Sequence, residues 1–232
     1  MFRIPAPKIN RLFGLFIQAS RGPAAPQTDW SVVIVSGVAD KPLTARGAAT
    51  RQRILDVAIQ EFAEHGIAGA RVERIVTAAN TNKAQLYSYF GSKEGLFDAI
   101  FFGSLERIMT VVPIDATDLA DWAVRLYNEY LRRPDLIRLA TWARLERRPT
   151  GYLVDEADRL DDDKLRAIAD AQAAGIVRPG DPFDLMAMVI AMSMAWSPVS
   201  NVYAATDQEP TETHEQRRTL LYDSVRRVVT PS

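Results

Sequence analysis

Lys83, Gln85, Tyr87 and Tyr89 stand within eight residues, KAQLYSYF, interleaved with Leu86 and Phe90. If this stretch is helical with Leu86 and Phe90 buried, the other four turn partly or fully toward solvent. A glutamine can bond an adenine edge through both ends of its amide, and a lysine can reach guanine or phosphate. Tyrosine hydroxyls on rigid rings donate well to phosphate oxygens. Lys93 opens the next helix, where a positive side chain beside free backbone amides makes a phosphate seat. The chemistry is hydrogen bonding to duplex DNA. Taken alone, the helix could equally be a solvated face with two half-buried tyrosines.

The neighbouring elements are those needed to aim such a helix. The spacing predicts helix 1 over about Thr50–His65, with Ile54, Ala58 and Phe62 in one stripe, Thr50 as N-cap and Gly66 as the left-handed stop. Helix 2 is predicted over about Val72–Ala79, with Val72, Ile75 and Ala79 inward. Asn80 sits at the turn because asparagine tolerates a left-handed backbone. Asn82 caps helix 3, Lys83–Phe90. The short link forces a sharp angle between two short helices, a helix–turn–helix. Gly91 then breaks the chain, Ser92 caps again, and helix 4 runs from Lys93 to near Pro113.

Three phrases carry a family resemblance: RILDVAIQEFAEHG, then I-V-x-A-A, then LYSYFGSKEGLF. Together they closely resemble the N-terminal module of the tetracycline-repressor (TetR) family of transcriptional regulators, over about residues 46–101. Farther on, AAGIVRPGDPFDL is similar to that family's link between helices 7 and 8. The resemblance implies an all-α fold: an N-terminal three-helix helix–turn–helix DNA-binding domain and a C-terminal helical ligand-binding and dimerisation domain. It implies a homodimeric repressor that binds double-stranded DNA at a palindromic operator. A small-molecule effector, here hydrophobic, would release it by changing the spacing of the two heads. Carried over by position, Tyr87 and Tyr89 contact the DNA backbone or bases, Lys83 and Gln85 lie at the groove, and Lys93 and Thr50 anchor phosphates. Where the family usually has a threonine at the start of helix 2, this chain has Ala70-Arg71, which loses a cap oxygen and offers the Arg71 guanidinium to phosphate. Asn80 replaces the usual turn glycine and Asn82 the usual capping serine.

Helical patterning continues to the end: helix 5 over about Asp118–Arg133, helix 6 over Asp135–Arg147, and helix 7 over Tyr152–Ala174. Asp181-Pro182 starts helix 8, which Ser197-Pro198 ends, and a Thr213/Gln216 capping box starts helix 9. Trp122, Tyr127, Trp142, Tyr152, Met188, Met192 and Trp196 are the candidates for an adaptable effector pocket. Any one of them could instead be ordinary core. Helix 8 is apolar almost all round, so it must be covered on both sides. The domain core covers one side; a second subunit, with Leu221, Val225 and Val228 of helix 9, is expected to cover the other.

The division expected is a poorly ordered arm over 1–43, a DNA-binding domain over 44–101, and an effector-binding and dimerisation domain over 102–232. Five prolines fall in 1–43, and WSVVIV (30–35) could form a strand there. Residues 1–53 hold eight Lys or Arg and two acids within a chain of net charge −1, so the basic end suits phosphate. An acidic run, Asp155 to Asp163, reads as solvated. The chain has no cysteine, which excludes disulfides and thiolate metal sites, and its two histidines, His65 and His214, lie far apart. No metal and no cofactor are expected. The longest apolar run, Leu185–Trp196, is too short for a membrane span, and the patch Leu12–Ile17 is too short for a secretion signal, so a cytoplasmic location is expected. No catalytic constellation is visible, and the chain is not expected to be an enzyme. The rival readings are an adaptor or enzyme that uses the helix–turn–helix only for docking, and a helical small-molecule carrier. The carrier leaves the Lys83–Tyr89 face unexplained.

Overall fold

The computed structural model describes residues 44–154 and 162–231. Among these the elements are all helical: α1 Ala45–Gly69, α2 Val72–Ala78, α3 Lys83–Phe90, α4 Lys93–Val111, α5 Leu119–Arg132, α6 Pro134–Glu146, α7 Asp162–Ala173, α8 Pro182–Ser193 and α9 Thr211–Val229. The expected arm over 1–43, its strand at 30–35 and most of the acidic run lie outside the described residues.

The local signals at the helix ends mostly act as read. The Asn82 side chain accepts from Gln85 N at 2.9 Å, and Ser92 Oγ accepts from Gly95 N at 2.9 Å. Asp181 accepts from the amides of Phe183 and Asp184 ahead of Pro182. Asn80 holds φ +49° in the α2–α3 turn. Three boundaries differ. The cap of α1 is Thr44, which accepts from Gly47 N, so Thr50 lies one turn inside the helix. Pro210 precedes α9 without a side-chain cap, so the Thr213/Gln216 box does not form. Residues 151–154 are non-helical, and α7 is described only from Asp162. Gly151, with φ +67°, and Pro149 punctuate this stretch more strongly than its apolar periodicity predicts.

Two apolar clusters result. The first joins α1–α4 around Ile54, Phe62, Ile75, Leu86, Phe97 and Phe101. Phe62 meets Phe97 edge-on at 5.3 Å, and Phe97 stacks on Phe101 at 5.9 Å. Such ring pairs contribute beyond their buried area. The second joins α5, α7, α8 and α9 around Trp122, Tyr127, Ile168, Val189 and Val225. Helix α6 serves both. Ile137 of α6 belongs to the second cluster, while Leu139 and Ala143 belong to the first.

Helix α6 is tied to α1 by more than apolar contact. Glu146 accepts from the Ile67 and Ala68 amides at 3.0 and 2.8 Å. Trp142 Nε1 donates to the Ala63 carbonyl at 3.2 Å. The contact requires Gly66, whose φ is +73°: a Cβ there would stand 2.6 Å from Glu146 Oε1 and 2.9 Å from the Trp142 ring. Arg147 continues the seam, pairing with Asp98 and lying 4.7 Å over the Phe97 ring.

Candidate nucleic-acid interface and cavity

The α2–α3 corner is built by its turn. Asn80 adopts the left-handed conformation, and the amide of Thr81 donates back to the Val76 carbonyl at 2.9 Å. Leu86 and Phe90 then bury, with exposures of 0 and 8%. Tyr87 and Lys83 are exposed on one flank of α3 and Gln85 and Tyr89 are half-buried on the other, with the exposed Ala84 and Ser88 between them. Packing against α4 is close because residue 95 is glycine: a Cβ there would lie 2.2 Å from the Phe90 carbonyl oxygen.

The polar groups of this face are tied to one another. Thr81 Oγ1 lies 2.7 Å from Gln85 Oε1, and Gln85 Nε2 lies 3.2 Å from the Tyr89 hydroxyl. Lys83 pairs with Glu73; the hydrogen bond between them raises the lysine and holds the carboxyl below its ordinary value. The pair is solvent-exposed and so weakly held, leaving the ammonium able to turn to a stronger anion. Arg71 is exposed, and its backbone amide donates to Glu61 Oε1 at 2.8 Å. Burial alone would raise Glu61, but the Arg74 guanidinium and the Arg71 amide outweigh it and hold the carboxyl below its usual range.

Two expected DNA contacts sit differently. Thr50 is 5% exposed; its hydroxyl donates to the Arg46 carbonyl at 3.0 Å and accepts from Arg53 Nη2 at 3.1 Å. It lies inside α1, on the same face as the buried Ile54 and Ala58, because the helix begins at Ala45 rather than at Thr50. Lys93 Nζ donates to the Ala68 and Ala70 carbonyls at 3.3 and 3.2 Å, closing the end of α1. Sequence reasoning missed Thr81, although it stands one helical turn before Gln85. It also missed Glu146, whose partners lie 78 and 79 residues away and leave no local signal.

The second cluster encloses a cavity of about 10 Å³ bordered by Tyr127, Tyr130, Ser193, Trp196, Ser197 and Ala205. That is space for about one water. The Thr206 carbonyl can only accept, so His214 Nε2, 3.1 Å away, carries the proton. Nδ1 therefore accepts from the Tyr127 hydroxyl at 2.7 Å. Burial raises Tyr127, with Arg217 opposing, and pushes Tyr130 up to about 12 despite the hydroxyl of Ser193. Arg217 lies 5.7 Å from the Trp196 ring and 5.2 Å from that of Tyr203, and pairs with Glu209 at 2.7 Å. Ser197 Oγ is buried without a hydrogen-bond partner among the described residues.

Of the residues expected in an effector pocket, Tyr127 and Trp196 meet at this cavity, ring edge to face at 5.8 Å. Trp122 is buried in the same cluster, its indole donating to the Val112 carbonyl at 3.2 Å, and Met192 packs against it half-buried. Trp142 is corrected: it packs in the first cluster against α1, because α6 crosses to that core. Tyr152 and Met188 are also corrected. Tyr152 is exposed against Phe183 at 5.2 Å, and Met188 points outward from α8. Leu221 and Val225, expected at a dimer interface, are 3 and 0% exposed because their stripe packs on α5 of the same chain; Val228 is half-buried beside them. The outward apolar side is instead Ala187, Met188, Ala191 and Ala195 along the α8 line, with Leu220 on α9.

Among the described residues there is no group of histidine and acidic side chains able to hold a metal ion, and no helix is long and apolar enough to cross a membrane.

Comparison with known proteins bears on both clusters. Residues 54–100 match the model of bacterial regulatory proteins of the tetR family, and residues 118–227 match that of the tetracyclin repressor-like C-terminal domain. The HTH-type transcriptional repressor SCO4008 of Streptomyces coelicolor is 36% identical over 148 residues, covering 62% of this chain and 77% of that protein. The crystal structure of SCO4942, also from Streptomyces coelicolor, superposes with a TM-score of 0.66 at 35% identity, over 78% of this chain and 98% of that one. The structure of AibR in complex with isovaleryl coenzyme A and operator DNA shares the fold, with a TM-score of 0.57 at 19% identity, over 76% of this chain and 97% of its own.

Proposed function

Because the chain belongs to the TetR family of transcriptional regulators, we propose that it is a ligand-responsive repressor in which α3 reads an operator and the α5–α9 cluster receives a small hydrophobic effector. The observation that carries this reading is the solvent side of α3, flanked by Lys83 and Tyr87 on one edge and Gln85 and Tyr89 on the other, on a helix fixed by a capped, left-handed turn. Tyr87 is the phosphate contact of this set, Gln85 the base contact and Lys83 a mobile cation for either. Arg71, exposed at the start of α2, adds a second phosphate contact.

Two copies, paired through the outward faces of α8 and α9, would set the heads on a palindromic site. The Ala187, Met188 and Ala191 face leaves α8 half covered by its own chain, and a second copy supplies the rest. The effector would enter at the Tyr127–Trp196 cavity. Its present size admits no organic ligand, so entry must part α5 from the α8–α9 connection. We divide the chain into a DNA-binding unit over 44–101 and an effector and dimerisation unit over 102–232, working in the cytoplasm without catalysis.

The test is binding of the full chain to random-sequence duplex followed by sequencing of what it retains. A regulator gives an enriched inverted repeat, and an affinity that falls linearly on a log–log plot against salt as counterions are released. Indifference to duplex DNA at low ionic strength overturns the reading. Turnover of the bound DNA would favour an enzyme docked through the same helices.

A further inference from the structure

Thr81, Gln85 and Tyr89 recur at four-residue spacing and so rise along one side of α3 and its turn. Their side chains form a hydrogen-bonded chain whose direction is fixed by chemistry. The 2.7 Å contact between Thr81 Oγ1 and the Gln85 side chain has the length of an O–H···O bond, and the 3.2 Å contact between Gln85 and Tyr89 that of an N–H···O bond. An amide oxygen cannot donate and an amide nitrogen cannot accept. Thr81 therefore donates to Gln85 Oε1, and Gln85 Nε2 donates to the Tyr89 hydroxyl. One lone pair of Oε1 and one N–H of Nε2 remain for the DNA, side by side. The Tyr89 hydroxyl, having accepted, keeps its own hydrogen for another acceptor, such as a phosphate oxygen.

We propose that Thr81 is a specificity-determining positioning residue, which locks the Gln85 amide in the orientation that selects adenine, one per half-site. The proposal rests on α3 being the DNA-reading helix. An adjacent acceptor and donor match adenine, which presents the N6 amino group and N7 in the major groove. Guanine presents two acceptors there and leaves Oε1 facing an oxygen. The backbone holds Thr81 in place: its amide is bonded to the Val76 carbonyl, and Asn80 before it takes the left-handed conformation. Without the hydroxyl the amide can turn over or swing away, and the pattern it offers is no longer fixed.

The experiment compares the wild-type chain with Thr81→Val and Thr81→Ser on the duplex enriched from a random pool. Each is also measured on that duplex with every adenine in turn replaced by 7-deaza-adenine, which lacks the N7 acceptor. For the wild type, one adenine per half-site should cost about tenfold in affinity when N7 is removed, and a similar factor when it is changed to guanine. Thr81→Val should lose most of that tenfold discrimination while its salt dependence is unchanged, since phosphate contacts remain. Thr81→Ser should restore discrimination, because it restores the donor. Helical circular dichroism confirms that each variant is folded. Full adenine discrimination in Thr81→Val, or a wild type blind to 7-deaza-adenine at every position, overturns the proposal while leaving DNA binding intact. Failure of the wild type to bind any duplex overturns both.

Discussion

Around Phe62, Phe97 and Phe101 ring meets ring, and an arginine covers the stack. Around Tyr127 the packing is different: tyrosine hydroxyls, a histidine, a half-buried arginine and an unpartnered serine share the core with a small cavity. Both clusters are built from helices of the same chain. The first brings its rings into direct contact, while the second keeps polar groups beside a small cavity. In the repressor proposed above, the aromatic core would hold the reading helix in place and the polar core would exchange its hydrogen bonds for those of an effector.

The largest expected effect separates the two cores directly. Phe97→Ala empties the centre of the first cluster and should cost about 3–5 kcal/mol, with duplex binding lost at the same temperature as helicity. Trp196→Ala, at a half-buried wall of an existing cavity, should cost less than half as much by urea unfolding; equal costs would erase the distinction. Next is Gly66→Ala. A side chain there meets Glu146 and Trp142 and also strains a left-handed residue, at about 3 kcal/mol. Its thermal melt should fall, and its duplex affinity should weaken with it.

Smaller effects sharpen the picture of the Tyr127 core. Tyr127→Phe leaves His214 Nδ1 buried without its donor, roughly 1–2 kcal/mol by urea titration. Ser197→Ala removes a hydroxyl that bonds to nothing described, so stability should stay within about 0.5 kcal/mol. A larger loss would show that the hydroxyl is engaged already. The smallest effect is confined to acid. Glu61 is held below its ordinary value near 4.5, so its contribution is complete above that value and fades as pH falls toward its folded value. Glu61→Gln should flatten the melting-temperature profile below the ordinary carboxyl value, whereas Tyr127→Phe and Ser197→Ala should leave that limb as in the wild type.

Much of the DNA-reading unit is legible in the sequence because its determinants are local. Asn80, Asn82 and Ser92 each act within four residues of themselves, and the Leu86–Phe90 pair orients α3 without outside help. The errors arise where distant partners decide. The stripe Leu221–Val225 is apolar whether it meets α5 or a second subunit, and periodicity cannot distinguish them. Trp142 lies on a helix shared by two cores, so its position in the chain does not say which it joins. Thr50 looks like a cap because caps are assigned from residue type, yet Thr44 fits the same rule six residues earlier. Tyr152 lies just after Gly151 in a non-helical stretch, whereas apolar spacing alone extends the helix back to it.

The shared helix α6 has a consequence for anyone wishing to borrow the DNA-reading part. Leu139 and Ala143 are as much floor tiles of the first core as any residue of α1, though they arrive from far downstream in the chain. A fragment ending after α4 would leave Phe62 and Phe97 facing water on one flank, and the Ile67 and Ala68 amides without their carboxylate. Heat should therefore melt both halves in a single step. A transplantable head must take α6 along as part of its own body.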